Sequence, residues 1–140
     1  MNTNKFFLSG IAGGIVFFFI GYLFYGLLLA DFFMTHAGPA KGVARDPNHL
    51  LFLYLILGNL LSGFFLAYIF SKTGVSTLGA GLVTGAIIGF FMSSSYDCIN
   101  YATSWVNSRT SVVADVATFT VMSAIAGAVV AWVAGMGKKA

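Results

Sequence analysis

Charge is what this sequence has least of. Asp, Glu, Lys and Arg together make up 8% of its 140 residues, against about 25% in an ordinary soluble domain. A chain with so little polar surface cannot present a water-soluble fold, and it is read as an integral membrane protein. The seven basic residues are spread over loops and ends and give a net charge of only +3, which excludes the concentrated basic face of a nucleic-acid partner. A single cysteine, Cys98, excludes an intramolecular disulfide; set inside an apolar run, it reads as a small packing residue. The two histidines, His36 and His49, lie 13 residues apart on irregular backbone and match no metal-ligand spacing, so no metal site is expected. There is also no HExxH, no nucleophile elbow and no cysteine–histidine arrangement, and neither an enzymatic activity nor a cofactor is expected.

What is present is apolar: 59% hydrophobic residues and a mean hydropathy of +0.91. The apolar residues fall into four runs, about 6–30, 50–70, 78–103 and 112–133, each long enough to cross a hydrocarbon core of about 30 Å. The fold class is therefore all-α, an integral membrane four-helix bundle running up-down-up-down and antiparallel, in a single domain covering 1–140. The first run exceeds the roughly 7 to 15 residues of a signal-peptide core and is read as a retained span. The connector Ser71–Thr77 is short, which implies that spans two and three are antiparallel neighbours. Tyr22 and Tyr25 near the end of span one, and Trp105 and Trp132 near opposite ends of the last two spans, read as interfacial aromatics. The longest loop, residues 35–49, holds both prolines, both histidines and Asp46 and cannot cross the membrane.

Small residues recur at four-residue spacing, the pattern that lets lipid-embedded helices approach closely. Gly10 and Gly14 do so in span one, Gly58 and Ser62 in span two, Gly81, Gly85 and Gly89 in span three, and Ser123, Gly127 and Ala131 in span four. Asn59, near the middle of span two, carries an amide that should find a partner across a helix interface.

Span three changes character at its end. Ser93, Ser94, Ser95, Tyr96, Asp97, Asn100, Tyr101 and Thr103 crowd into its last turns, and Asp97 is an ionisable group that a hydrocarbon setting penalises by roughly 2.5 to 3.5 kcal/mol. Residues three and four apart share a helix face, so Ser94, Asp97, Asn100 and Tyr101 form a polar stripe, with Asp115 and Thr118 forming another on the next helix. The short loop between these spans lets the stripes face each other, and Arg109, the only basic residue between them, is the natural counter-charge. These seven residues are the candidate ligand- or ion-binding set.

The run from Gly81 to Gly127, above all Tyr96-Asp97-x-x-Asn100-x-Ala102-Thr103 followed by Ala114-Asp115, resembles small bacterial four-helix membrane proteins of domain of unknown function 2177. The first span, GGIVFFFIGYLFYGLLLADFF ahead of His36-Ala37-Gly38, resembles domain of unknown function 1761. The resemblance implies a protein of the bacterial inner membrane and brings no activity with it. Two functions fit the residues: binding or translocating a small ion, proton or polar solute at the aspartate–asparagine cluster, or serving as a structural or accessory subunit of a larger membrane complex. Beyond the lipid bilayer, a homo-oligomer or a larger complex is an open partner. Lys5, Lys72, Lys138 and Lys139 on one side against Lys41, Arg45 and Arg109 on the other favour cytoplasmic termini by one residue.

Overall fold

In hydrocarbon every backbone N–H and C=O must be satisfied within the chain, so each apolar run is driven into a helix. The computed structural model describes residues 2–137; Lys138 and Lys139, counted above for orientation, lie outside the described residues. Helix α1 spans Thr3–Gly21, opened by the Asn2 side chain, which accepts from the Lys5 N–H at 2.9 Å. It runs on into a π-helical segment, Tyr22–Leu28, and after a break at Leu29 into the short helix α2, Ala30–Thr35. Three further long helices follow: α3 (Phe52–Thr73), α4 (Leu78–Thr103) and α5 (Arg109–Gly135). Among the described residues four helical stretches, α1 with its π-helical extension and α3, α4 and α5, are long and apolar enough to cross a membrane, and no strand is formed beyond one isolated bridge, Ala37 with Asn107.

Local chemistry sets the ends. α3 stops at Gly74, whose φ of 76° few other residues adopt without strain. α4 begins where the Thr77 side chain accepts from the Ala80 N–H. α5 begins at Arg109, three residues before the expected start, because Ser108 and Ser111 form a reciprocal capping box there.

Packing follows the small residues, and chain order in every pair of consecutive spans but α3 and α4. α5 lies against α4 along most of its length and also against α1, while α1 lies against α3. The buried face of α4 is Gly81, Gly85, Gly89, Ser93 and Asp97, one residue per turn. Side chains built on the first three would run into Ala131, Gly127 and Ser123 of α5, and one on Gly127 into Gly81 and Gly85, so the two backbones are in direct contact. α1 and α3 meet in the same manner, with Gly13 against Gly63, Gly14 against Leu60 and Gly10 under the Phe64 ring. At the far end the Lys5 Nζ donates to the Met136 carbonyl oxygen and ties α1 to the end of α5.

Several expectations need correction. α3 and α4, joined by residues 74–77, do not pack along their length: each has spent its small-residue face on another partner. An apolar cavity of about 220 Å3 opens between them, with Leu61, Phe65, Ile88 and Met92 at its sides and Phe17 and Phe119 at its base. Gly58 packs against nothing, with open space where a side chain would stand. Asn59 does not bridge helices; its amide donates at 2.7 Å to Leu55 O of its own helix, which satisfies it without a partner. Cys98 is exposed on the outer face of α4 rather than packed.

Candidate functional site

Three elements converge at one end of the bundle. Asp97 lies six residues before the end of α4 and Asp115 six residues after the start of α5, which is about 9 Å along each helix at 1.5 Å per residue. The antiparallel hairpin therefore sets the two at one level. Asp97 is the continuation of the glycine ridge, one further turn beyond Ser93, and the same register that seats Gly81, Gly85 and Gly89 against α5 carries this carboxyl into the helix interface. It is 2% exposed. The Asp115 carboxyl stands beside it at the same level of α5, and the Tyr25 hydroxyl, brought in from the π-helical segment, donates to Asp115 Oδ1 at 2.7 Å.

The neighbouring hydroxyls do not serve the aspartates. Ser93 donates its one proton to Gly89 O at 2.8 Å, and Thr118 donates its own to Ala114 O at 2.7 Å, each turned back on its own helix. Asp97 Oδ2 is left buried with no hydrogen-bond partner. Buried polar atoms are almost always paired, so a lone carboxylate oxygen beside a second carboxyl is an unusual arrangement.

Of the seven candidate residues, the structure sets Asp97 and Asp115 side by side at one level of the α4–α5 hairpin and places Thr118 buried one turn beyond Asp115. The others spread outward. Ser94 is half-buried, next to the ridge but off its line. Asn100 accepts from the Ser104 hydroxyl at 2.9 Å and faces the end of α4. Tyr101 is exposed, and its oxygen accepts from Arg109 Nε at 3.1 Å. Arg109 is thus engaged at the rim and does not neutralise the aspartates, which corrects its expected role as their counter-charge; among the described residues the one acid–base contact is His49 with Asp46 at 4.0 Å. An exposed guanidinium at a helix end keeps its hydration, which a move toward the buried pair would remove.

Tyr25, expected as an interfacial aromatic, is instead the third member of the cluster. Its place there is set by the π-helical segment, which begins just after Gly21, the α1 residue nearest Met122 of α5. Toward the middle of the bundle the buried side chains are mainly apolar, with Ser123 the polar exception. Phe17 and Phe119 stack there with ring centroids 6.0 Å apart, beside buried Met122.

Beyond the cluster, on the α4–α5 loop, lies a backbone strap. Beyond α2, Gly38 N donates to Val106 O at 2.8 Å and Ala40 N to Trp105 O at 3.0 Å, flanking the Ala37–Asn107 bridge. The Ser108 hydroxyl, which caps α5, also donates to His36 O. Gly38 is required at this crossing, since a Cβ there would meet the Trp105, Val106 and Asn107 backbone.

The family model described as Protein of unknown function (DUF1761) matches residues 8–131. The chain belongs to this family. The match includes the first span and runs on through the 81–127 stretch, so one family model covers both. Comparison with curated proteins and with solved structures gives no match. The DUF1761 chain is a membrane protein of four apolar helices with an acidic cluster between three of them.

Proposed function

We propose that this DUF1761 protein binds a single small positive charge, a proton or a monovalent cation, between Asp97 and Asp115, reaching it from the membrane face that carries α2 and the α4–α5 loop. The observation that carries the reading is the buried Asp97 Oδ2, unpartnered beside a second carboxyl. Two full negative charges side by side repel, by about 4 kcal/mol for a separation of about 4 Å at an effective dielectric of about 20. One bound positive charge removes that repulsion and gives Oδ2 its partner. A merely structural lock between α4 and α5 has no need of the pair, because their backbones already meet along the glycine ridge. Intramembrane carboxylates are functional candidates by default for the same energetic reason. The Phe17–Phe119 stack beneath the cluster supports binding from one face over conduction through the bundle. No chemical transformation forms part of the proposal.

The test uses the full chain in lipid nanodiscs and dicyclohexylcarbodiimide, which reaches carboxyls from the lipid and attacks them when protonated. Mass spectrometry should find the modification on Asp97 or Asp115. Protection that rises with lithium, sodium or potassium concentration identifies a cation; labelling indifferent to all three identifies a proton. Asp97→Asn and Asp115→Asn should each lose the labelling of the pair while keeping the fold. If neither aspartate is labelled in the parent and the salt series leaves parent and variants equally stable, the binding reading is wrong.

A further inference from the structure

We propose that the segment from Tyr22 to Ala40 is a gate over the Asp97–Asp115 cluster, an inference that rests on the binding reading above and adds how access to the site is controlled. The segment has three parts, each with its own observation. The first is a hinge. Tyr22–Leu28 follows i→i+5 hydrogen bonding, closed by Leu29 N donating to Phe24 O at 2.7 Å, and the helix then breaks at Leu29 with φ −114° and ψ 7°. π-helical turns are wider than α turns and less favourable, and they recur at functional sites. An α-helical path through the same residues turns everything after it by about one residue, roughly 100°.

The second part is a bar. Tyr25 sits inside the hinge and its hydroxyl is bound to Asp115, so the hinge geometry and the cluster are linked by one hydrogen bond of 2.7 Å. The third is a latch. Residues 36–40 are held on the α4–α5 loop by the Ala37–Asn107 bridge, two backbone hydrogen bonds and the Ser108 hydroxyl. The latch rests on few and exposed hydrogen bonds, the sort of contact that opens locally at low free energy. Rotation at the hinge withdraws the latch and the tyrosine together. With the gate closed the Tyr25 hydroxyl occupies Asp115 Oδ1 while Asp97 lies buried against α5; with it open, Asp115 is freed, and water and a cation reach the pair by way of it from that face.

The latch can be fixed shut. Facing residues of an antiparallel bridge have Cα atoms about 4.5 to 5.5 Å apart, inside the span of a disulfide, so Ala37→Cys with Asn107→Cys in a Cys98→Ser background should cross-link on oxidation. It can also be loosened: Gly38→Ala puts a methyl group into the Trp105–Asn107 backbone. The measurement is the rate at which a water-soluble carbodiimide with a small amine labels Asp97 and Asp115 in proteoliposomes, with exposed Asp31 and Asp46 as internal references. Cross-linking should slow labelling of the pair by about tenfold or more, since it removes the minor open state through which labelling passes. Reductant should restore the rate, and Gly38→Ala should exceed the parent. Equal rates in cross-linked, reduced and Gly38→Ala protein overturn the gate while leaving the site, provided dicyclohexylcarbodiimide still labels it from the lipid. Failure of both reagents on every form removes the site and the gate with it.

Discussion

The glycine ridge of α4 makes a like-for-like prediction, because the same substitution can be placed where the helix is in contact and where it is not. A Cβ on Gly85 would collide with the Ser123 carbonyl oxygen and lie 3.1 Å from Gly127 Cα and 3.2 Å from Ser123 C. All three atoms are backbone, so no rotamer change relieves the contact and α4 must move away from α5. A Cβ on Gly58 would meet nothing within 4 Å. Both positions are helix interiors, and replacing glycine by alanine narrows the unfolded ensemble equally at each, a stabilisation of about 0.4 to 1 kcal/mol. That contribution cancels in the comparison, leaving the overpacking of Gly85→Ala, about 1 to 3 kcal/mol. Reversible unfolding in mixed micelles, with the two variants and the parent side by side, reads the difference. Gly85→Ala should be the less stable by that amount and Gly58→Ala at least as stable as the parent. If the two agree within about 0.5 kcal/mol, the usual scatter of innocuous surface changes, α4 and α5 are not in backbone contact and the packing scheme fails.

Tyr25→Phe keeps the ring, against Phe33 at 5.4 Å, and removes the donor to Asp115 Oδ1; the loss should be about 1 to 3 kcal/mol of stability, as for a buried acceptor left unpaired, read by the same unfolding assay. Arg109→Ala should leave carbodiimide labelling and cation protection of the aspartates unchanged, since the guanidinium is bound to Tyr101; a large change would restore it as their counter-charge. Orientation is checked in a Cys98→Ser background with Val43→Cys and Thr73→Cys: an impermeant thiol reagent on intact cells should label the first and spare the second if the termini are cytoplasmic, and the reverse pattern inverts the topology.

The four long helices were legible because hydropathy over twenty residues is a strong signal and hydrocarbon permits little else. Partner choice was legible only in part: the short loop between α4 and α5 pointed to the pairing the structure shows, and the connector between α3 and α4 did not. A four-residue recurrence of glycines says that a backbone can approach but not which one, so the short connector between α3 and α4 suggested neighbours that the structure keeps apart. Asn59 shows the limit of reasoning from polarity alone: an amide in a helix can satisfy itself on the carbonyl four residues back. Gly58 shows the corresponding limit for small residues, which carry no address. Within the cluster, both carboxylates stand out in sequence because charge is so rare in the spans. Tyr25 does not, because its position depends on a π-helical segment whose extra residue per turn leaves no compositional mark.

The site and the packing are one feature of α4. Gly81, Gly85, Gly89, Ser93 and Asp97 are the buried residues of that helix, at a strict spacing of four, so the register that brings α4 onto α5 also decides where the carboxyl points. A one-residue slip would turn the ridge by about 100°, present Tyr96 or Cys98 to α5, and set Asp97 toward lipid, where insertion scales penalise it by roughly 2.5 to 3.5 kcal/mol. Close backbone contact therefore opposes the slip at three glycines, and the charge opposes it at the fifth position. Neither effect requires Asp97 Oδ2 to be left without a partner; a serine turned toward it, in place of one turned back on Gly89, would have satisfied it. An exchangeable partner, as proposed above, accounts for the unpaired oxygen, and the cluster's place suits it: one and a half to two turns from the end of the bundle, below a loop to which a strap is held by a few backbone hydrogen bonds and the Ser108 hydroxyl.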